Sequence, residues 1–116
     1  MDDSAKEAPD VSVIIPHHVG RELIQRCLDS VLLSVRVTYE VLVITSDPTY
    51  ATQDAEVYFL EDGPAGKRNY GVARSHAETI IFLDDDVEVS PFCLYELWKF
   101  LEETPTCGMA FGKIRN

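Results

Sequence analysis

The chain has 116 residues, enough for one domain with its own hydrophobic core. Its 20 acidic and 10 basic residues give a formal net charge of −10, which argues against general nucleic-acid binding because that depends on cationic contacts to phosphate. The three cysteines lack the spacing of zinc ligands, and we expect them to be small buried side chains in a reducing compartment and not a disulfide framework. They are Cys27, Cys93 and Cys107. The sequence contains neither a membrane-spanning segment nor a signal peptide, so we expect a cytoplasmic location.

Strands and helices are predicted to alternate along the chain. A buried strand over residues 11–15 is expected to stop at Pro16. Apolar residues at helical spacing then predict a helix over about residues 21–34. A second buried strand, at residues 39–44, is followed by turn-forming residues at 45–48.

The second half of the chain continues this alternation. Ser90 and Pro91 predict the start of a helix, as a cap followed by proline at the first helical position. Such an alternation predicts an α/β fold with a three-layer, doubly wound, mostly parallel sheet. The other predicted elements are strands at 57–60, 79–83 and 109–111 and a helix at 67–76.

The most informative stretch is the apolar run at residues 79–83 and the three acids after it, Asp84, Asp85 and Asp86. An apolar run without alternation predicts a strand buried on both faces of a parallel sheet, and ligands bind at the carboxyl ends of such strands. Three carboxylates delivered to one point there predict a site for Mg²⁺ or Mn²⁺, which prefer oxygen ligands. The alternative is a solvated acidic turn or helix cap.

A glycine-rich segment at residues 63–66 leads into a helix whose first turn carries Lys67 and Arg68. It does not match a P-loop, because Glu61 stands where glycine is required and Arg68 replaces the hydroxyl residue. Cations at this end of a helix oppose the helix dipole. An incoming diphosphate would relieve this conflict, because the backbone amides and both side chains attract it. The alternative is a solvated basic turn paired with Glu61 or Asp62.

Two adjacent histidines, His17 and His18, follow the first strand. Their side chains are expected to point to different sides, so they are poorly placed to chelate one metal together. One of them is a candidate for stacking or hydrogen bonding, and the alternative is a pair of ordinary loop histidines. No G-x-G-x-x-G segment follows the strand, which argues against a nicotinamide site.

Five segments, in order along the chain, carry a family resemblance. They lie at residues 11–16, 27–31, 39–44, 67–71 and 82–86. Together they resemble the N-terminal part of family 2 glycosyltransferases, which have the GT-A fold with a Rossmann-like half. The resemblance implies a truncated GT-A domain over residues 11–116 that binds a nucleotide-diphospho-sugar and lacks the acceptor half. The acidic residues 1–10 are expected to form a disordered leader.

The resemblance also implies roles for the residues that match the family's motifs. Asp86 would bind Mn²⁺ or Mg²⁺, with Asp84 as a second metal ligand, and Asp84 or Asp85 would serve the ribose and the water shell of the metal. Arg68 and Asn69 match an arginine-asparagine pair near the donor.

Other donor-binding positions implied by the resemblance lie after the first two strands. They are Pro16, His18, Thr45, Asp47 and, from the basic turn, Lys67. His18 takes the position of an aromatic residue that faces the base, and Thr45 stands where a base-reading carboxylate is expected. Asp47, two positions on, is a candidate to replace that carboxylate.

The resemblance implies an inverting sugar transfer in a full-length parent. Its carboxylate base would follow Asn116, so no catalytic residue is assigned and this chain alone is expected to be inactive. Alternatives are a non-catalytic nucleotide-binding or protein-interaction module, and a phosphoryl-transfer domain, which would need an acid after the first strand. Exposed apolar surface at the last strand also predicts a homodimer.

Overall fold

The structure is a computed structural model that describes residues 8–104 and the backbone of residues 114–115. Strands and helices alternate through most of the chain. In order, the elements are β1 (Val11–His17), α1 (Glu22–Val31), β2 (Tyr39–Thr45), β3 (Glu56–Phe59), α2 (Pro64–Arg74), β4 (Thr79–Phe82), β5 (Glu88–Val89), α3 (Cys93–Glu103) and β6 (Ile114–Arg115).

Four parallel strands form the central sheet in the order β3-β2-β1-β4. Val11 pairs with Tyr39 of β2 on one side and with Thr79 of β4 on the other, so β1 lies in the interior of the sheet. The chain first builds outward through β2 and β3 and then returns to place β4 on the opposite side of β1. The carboxyl ends of β1 and β4 therefore flank the switch point of the sheet.

Helices cover both faces of this sheet, as the period-two alternation along β1 requires. Val13 and Ile15 pack with α1 and the start of α3 in the larger core cluster. Ile14, between them, faces the other way and packs with Leu42 of β2 and Tyr70 of α2. The predicted three-layer α/β architecture is confirmed.

β1 continues through Pro16 to His17, so the expectation that the proline stops this strand is wrong. The backbone N–H of Leu83 donates to the carbonyl of Ile14, which shows that the backbone of Ile14 faces β4. Alternation along the strand turns Pro16 to the same side, where the register ends at Ile14 and Phe82. The missing N–H of the proline therefore removes no hydrogen bond from the sheet.

One face of β4 is buried and the other is partly exposed, so the prediction of a strand buried on both faces is wrong. Ile81 is buried in the larger core cluster, but Phe82 is 45% exposed. Within the described part of the chain, β1 is the only strand that pairs with β4. The apolar run of β4 therefore reflects one buried face and an exposed aromatic residue.

The third helix begins at Cys93, and the predicted cap at Ser90 and Pro91 is wrong. β5 keeps the chain extended up to Val89, and the backbone N–H of Cys93 then donates to the carbonyl of Ser90 in a turn. Phe92 takes the N-cap position without a side-chain hydrogen bond. Because β5 intervenes, the three acids after β4 do not cap this helix.

Asp10 is joined to the fold although it falls within the predicted leader. Its backbone N–H donates to the Thr38 hydroxyl over 2.8 Å, and its carboxylate accepts from the Thr38 backbone N–H over 3.0 Å. Cys27 and Cys93 are free and buried, as predicted. Cys107 and the strand predicted nearby lie outside the described residues. Across the part of the chain that is described, every helix is too short or too polar to cross a membrane.

Candidate functional site

The residues predicted to form a site lie mainly where β1, β2 and β4 end. We call this region the carboxyl edge and define it by residues 16–21, 45–47 and 83–86. The first turn of α2 lies beside it, because Lys67 contacts the end of β1. Parallel strands end on the same side of a sheet, which explains why residues distant in sequence meet here.

A cleft of about 290 Å³ opens at the carboxyl edge between the β1–α1 loop and the chain after β4. His17, Gly20, Arg21 and Asp85 contribute to its lining, together with apolar side chains at the start of α1. A slightly larger hollow of about 340 Å³, beside Asp29, is lined by none of the predicted site residues. The chemistry therefore favours the smaller cleft.

His17 is 2% exposed and makes two side-chain hydrogen bonds at the carboxyl edge. Its Nε2 atom lies 2.8 Å from the Gly20 carbonyl oxygen, and its Nδ1 atom lies 2.8 Å from the Thr45 hydroxyl. Since a carbonyl only accepts, Nε2 carries a proton and donates to Gly20. The Thr45 oxygen accepts in turn from the backbone N–H of Asp47 over 2.9 Å. The imidazole also packs on Tyr50, with ring centroids 4.7 Å apart.

Lys67 is 4% exposed, and its Nζ donates to the carbonyl of His17 over 2.8 Å. The backbone N–H of Ser46 donates to the same carbonyl over 3.0 Å. Burial lowers the pKa of Lys67, although the carboxylates of Asp85 and Asp62 oppose this shift. The alternative of a solvated basic turn is therefore wrong for Lys67, which braces the end of β1 from inside.

Arg68, the next residue, is accessible and directed toward the acids after β4. Its Nη2 atom lies 3.9 Å from Oδ1 of Asp84, and its guanidinium carbon lies 5.9 Å from the centre of the Phe82 ring. The Arg68 and Asp84 side chains are 39% and 72% exposed, so water screens their ion pair and leaves it weak. Both side chains are accessible to a ligand.

The three acids after β4 do not meet at one point, so that expectation is wrong. The chain turns at Asp85 and Asp86, and this leaves Asp84 and Asp86 exposed while Asp85 lines the cleft with His17. Over residues 8–104, no three histidine, cysteine or acidic side chains are grouped so as to hold a metal ion by themselves.

Burial determines the protonation of two groups near these acids. It raises the pKa of Asp85; His17 opposes this shift, whereas Asp86 and Asp84 add to it. Cys27 lies close by, and its Sγ donates to the Asp84 carbonyl oxygen over 3.7 Å. Burial, with smaller contributions from the nearby acids, raises the pKa of the Cys27 thiol to about 12. The thiol is therefore protonated at neutral pH and inert as a nucleophile.

The residues predicted at the end of β2 are already engaged within the protein. Thr45 is 1% exposed, and its hydroxyl bonds both the His17 ring and the Asp47 backbone. The Asp47 carboxylate accepts from the Thr49 hydroxyl over 2.7 Å and from the Thr49 backbone N–H over 2.9 Å. These bonds lower the pKa of Asp47. Both residues shape the loop after β2.

The remaining predicted positions are more accessible. His18 and Asn69 are exposed, and Pro16 is half-buried within β1. His18 follows His17 directly but, unlike it, lies on the surface. The expectation that adjacent histidines point to different sides therefore holds.

Sequence reasoning missed the inward position of His17 and the contributions of Gly20 and Arg21. Val13, Ile15 and His17 are two residues apart in turn and share one face of β1, which is the signal that could have placed His17 inside. Gly20 has a φ of 101°, a conformation that side chains rarely adopt, and it marks the turn before α1.

Comparison with known proteins adds a family to this geometry. The family model described as glycosyl transferase family 2 matches residues 12–115. An uncharacterized glycosyltransferase from Rickettsia bellii is 31% identical over 104 residues, which cover 80% of this chain and 15% of that protein. The chain thus spans a small part of this curated relative.

Solved structures show the same fold. TarS of S. aureus in complex with UDP-GlcNAc superposes with a TM-score of 0.69 at 24% identity, covering 80% of this chain and 31% of that one. The mannosyltransferase PcManGT from Pyrobaculum calidifontis, in complex with GDP-Man and Mn²⁺, gives a TM-score of 0.67 at 23% identity, covering 83% and 33%. These similarities show the GT-A fold. The chain spans about a third of the length of each of the two structures.

Proposed function

Because this chain belongs to glycosyl transferase family 2, we propose that its carboxyl edge binds a nucleotide-diphospho-sugar donor. The observation that carries the proposal is placement: Arg68, the exposed acids Asp84 and Asp86, and the cleft lined by His17 lie together at the switch point of the sheet. Open α/β sheets bind their ligands at this position. The UDP-GlcNAc and GDP-Man held by the two similar structures support this ligand class.

A divalent cation, Mn²⁺ or Mg²⁺, is part of the proposal. Asp84 and Asp86 fit it, because both present exposed carboxylate oxygens, the ligands that these ions prefer. Mg²⁺ in particular is commonly held by one or two carboxylates together with substrate phosphates. Such a site does not need three ligating side chains from the protein, and no group of three is found among the described residues. When bound, the cation would neutralise charge on the diphosphate. The Mn²⁺ in the similar mannosyltransferase structure supports this reading.

The side chains of this chain divide into those that would contact the donor and those that support them. Arg68 is accessible beside Asp84, Asn69 is exposed next to it in the chain, and we assign both to contact with the diphosphate. His18 is exposed after β1 and is available to stack on the base. Lys67 and Thr45 are buried, and we assign them to holding His17 and the loops around it.

The reaction proposed for a longer parent is an inverting transfer. An acceptor hydroxyl, deprotonated by a carboxylate base, would attack the anomeric carbon and displace the nucleoside diphosphate. We assign no residue of this chain as that base. The chain by itself is therefore proposed to bind the donor without transferring the sugar.

Titration calorimetry of UDP and GDP against the chain, with Mn²⁺ and then with a chelator, tests the proposal. At least one nucleotide should bind with Mn²⁺, and binding should be lost with the chelator or in Asp86→Ala. Asp29→Asn, an exposed acid on α1 away from the carboxyl edge, is the matched control and should bind as the wild type does. Absence of binding by both nucleotides with excess Mn²⁺ would overturn the proposal.

A homodimer and a non-catalytic role are separate proposals with separate tests. Phe82 on β4 is 45% exposed and offers apolar surface for a second copy. Sedimentation at high concentration should show the dimer, and a strictly monomeric species would contradict it. A non-catalytic module would bind nucleotide in the same way, but the longer parent would transfer no sugar.

A further inference from the structure

His17 joins four segments of the carboxyl edge. Its ring bonds the Gly20 carbonyl in the β1–α1 loop and the Thr45 hydroxyl at the end of β2, each over 2.8 Å. Its own carbonyl accepts from Lys67 of α2 and from the backbone of Ser46 in the loop after β2. Loss of the ring would therefore remove the buried contact between the β1–α1 loop and the end of β2, and leave the exposed bond from Arg21 Nη2 to the Thr49 carbonyl, of 3.2 Å.

The ring is part of a chain of hydrogen bonds. The backbone N–H of Asp47 donates to the Thr45 hydroxyl, that hydroxyl bonds Nδ1 of His17, and Nε2–H donates to Gly20. Because the Gly20 carbonyl only accepts, Nε2 has to carry a proton for this chain to reach the β1–α1 loop. Gly20 makes the last contact possible, because its φ of 101° turns the backbone at this point.

The β1–α1 loop shapes one side of the cleft that the donor is proposed to enter. Gly20 and Arg21 line this cleft together with Asp85. His17 also lines the cleft, but at 2% exposure it offers a ligand little surface. An effect of His17 on the donor therefore has to pass through the loop that its ring holds.

We infer that His17 is a positioning residue for the nucleotide-diphospho-sugar, acting with Thr45 to hold the β1–α1 loop in its donor-binding place. The inference rests on the proposed function and deepens it. It assigns to Thr45 a task other than contact with the base: the hydroxyl holds the His17 ring in the orientation in which Nε2 bonds Gly20.

Thr45→Val and Thr45→Ser test the inference by calorimetry with UDP or GDP and Mn²⁺. Valine keeps the shape but leaves Nδ1 of His17 and the Asp47 N–H without a partner, so affinity should fall about tenfold. Serine restores the hydroxyl, and affinity should return to within about threefold of the wild type. Wild-type affinity in Thr45→Val would overturn the inference.

Ser30→Ala is a matched control for the loss of a buried hydroxyl. Ser30 donates to the Cys27 carbonyl over 2.7 Å and accepts from the Val89 backbone N–H over 3.0 Å, but it lies outside the cleft. The variant should lose stability and keep its nucleotide affinity. If it weakened binding as much as Thr45→Val does, the effect of Thr45 would be one of general stability and the inference would be wrong.

A double-mutant cycle tests whether Thr45 acts through His17. His17→Asn retains an oxygen that can accept from Thr45 but is too short to reach Gly20. We therefore expect His17→Asn alone to weaken binding, and Thr45→Val to add little in that background. Additive losses would show that the two residues act independently and would contradict the inference.

Nitrogen NMR of the chain without nucleotide separates this inference from the proposed function. The His17 ring should show a protonated Nε2, and Thr45→Val should move the amide signals of Gly20 and Arg21. A chain that binds nucleotide but carries no proton on Nε2 of His17, or whose loop signals do not move, overturns the positioning role alone. A wild-type chain that binds neither nucleotide overturns the proposed function and this role with it.

Discussion

At the scale of single residues, substitution of Asp84 or Asp86 should affect metal binding but not folding. Both are exposed, and neighbouring like charges repel one another without a cation. We expect Asp84→Ala and Asp86→Ala to abolish Mn²⁺-dependent nucleotide binding while changing the free energy of unfolding by less than about 0.5 kcal/mol. Urea unfolding and thermal shift with and without Mn²⁺ measure the two effects. A large loss of stability in the absence of metal would mark these acids as structural.

A second prediction concerns Glu40 and His76 at the opposite end of the sheet. Burial alone would raise the pKa of Glu40, but hydrogen bonds from Ser12 and His76 outweigh it and lower the pKa. The hydrogen bond to Glu40 raises the pKa of His76. The stabilisation from His76 is thus complete below its ordinary pKa and is lost as pH rises through the raised value, whereas that from Glu40 is lost as pH falls through the lowered one.

The Glu40–His76 pair should therefore stabilise the fold most between about pH 4.5 and 6.5, the ordinary pKa values of the two groups. We expect His76→Gln to reduce the fall in unfolding free energy between pH 6.5 and 8.5, measured by urea unfolding. In a Glu40→Gln background the same change should have little effect on that slope. An equal effect in both backgrounds would show that Glu40 is not the partner responsible.

Residue types at the site were predictable, but their orientations were not. Acids after β4 and cations at the start of α2 could be read directly from the sequence. Which acid turns inward depends on the turn at Asp85, and the burial of Lys67 depends on the His17 carbonyl that accepts from it. Thr45 could be placed at the end of β2, whereas its bond to His17 arises only when β1 and β2 pair.

At the scale of secondary-structure elements, two glycines of α2 form a matched pair. A Cβ on Gly71 would lie 2.6 Å from Cγ2 of the buried Ile14, so Gly71→Ala should overpack the core and destabilise the fold by about 1–3 kcal/mol. A Cβ on Gly66 would meet only the end of the exposed, flexible Asp62 side chain. Alanine favours a helix over glycine by about 1 kcal/mol, so Gly66→Ala should be neutral or stabilising.

Urea unfolding of the two α2 variants measures the difference. The midpoint for Gly71→Ala should fall clearly below that for Gly66→Ala, with equal dependence on denaturant. The reverse order would contradict the packing of α2 against β1.

Buried strands and helices were predictable where their pattern of apolar residues determines them. The residues at which they end were not predictable. The apolar runs of β1 and β2 were predicted within two residues. α1 ends at Val31, three residues early, because the chain after it turns with Leu33 and Ser34 bonded to residues three positions back. β5 was missed, since a two-residue strand forms only through its pairing with β6.

At the scale of the whole molecule, we expect donor binding without sugar transfer. The Asp47 carboxylate is tied to Thr49 and Asp85 lies against His17, so neither is placed to activate an acceptor. The chain incubated with UDP- or GDP-sugars and Mn²⁺ should release no sugar to an acceptor or to water, as followed by chromatography. Metal-dependent transfer that disappears in Asp86→Ala would contradict this and require a base among His17, His18 and Asp47.

The fold class followed from the alternation of strands and helices, because buried parallel strands and amphipathic crossovers allow few arrangements. The position that we propose for the site follows from the same topology. The exposure of Phe82 on β4 did not follow, because a short apolar run has the same pattern whether one face or both faces are buried.

Paramagnetic broadening of amide NMR signals by Mn²⁺, in the presence of UDP or GDP, tests the central claim most directly. Signals of residues 84–87 and of Arg68 should be lost with nucleotide present, and those at the amino ends of the strands, such as Val11, Tyr39 and Thr79, should persist. The nucleotide should enhance the broadening, because it supplies phosphate ligands that two carboxylates alone lack. Broadening spread over all acidic surfaces, or unchanged by nucleotide, would contradict a donor site at the carboxyl edge.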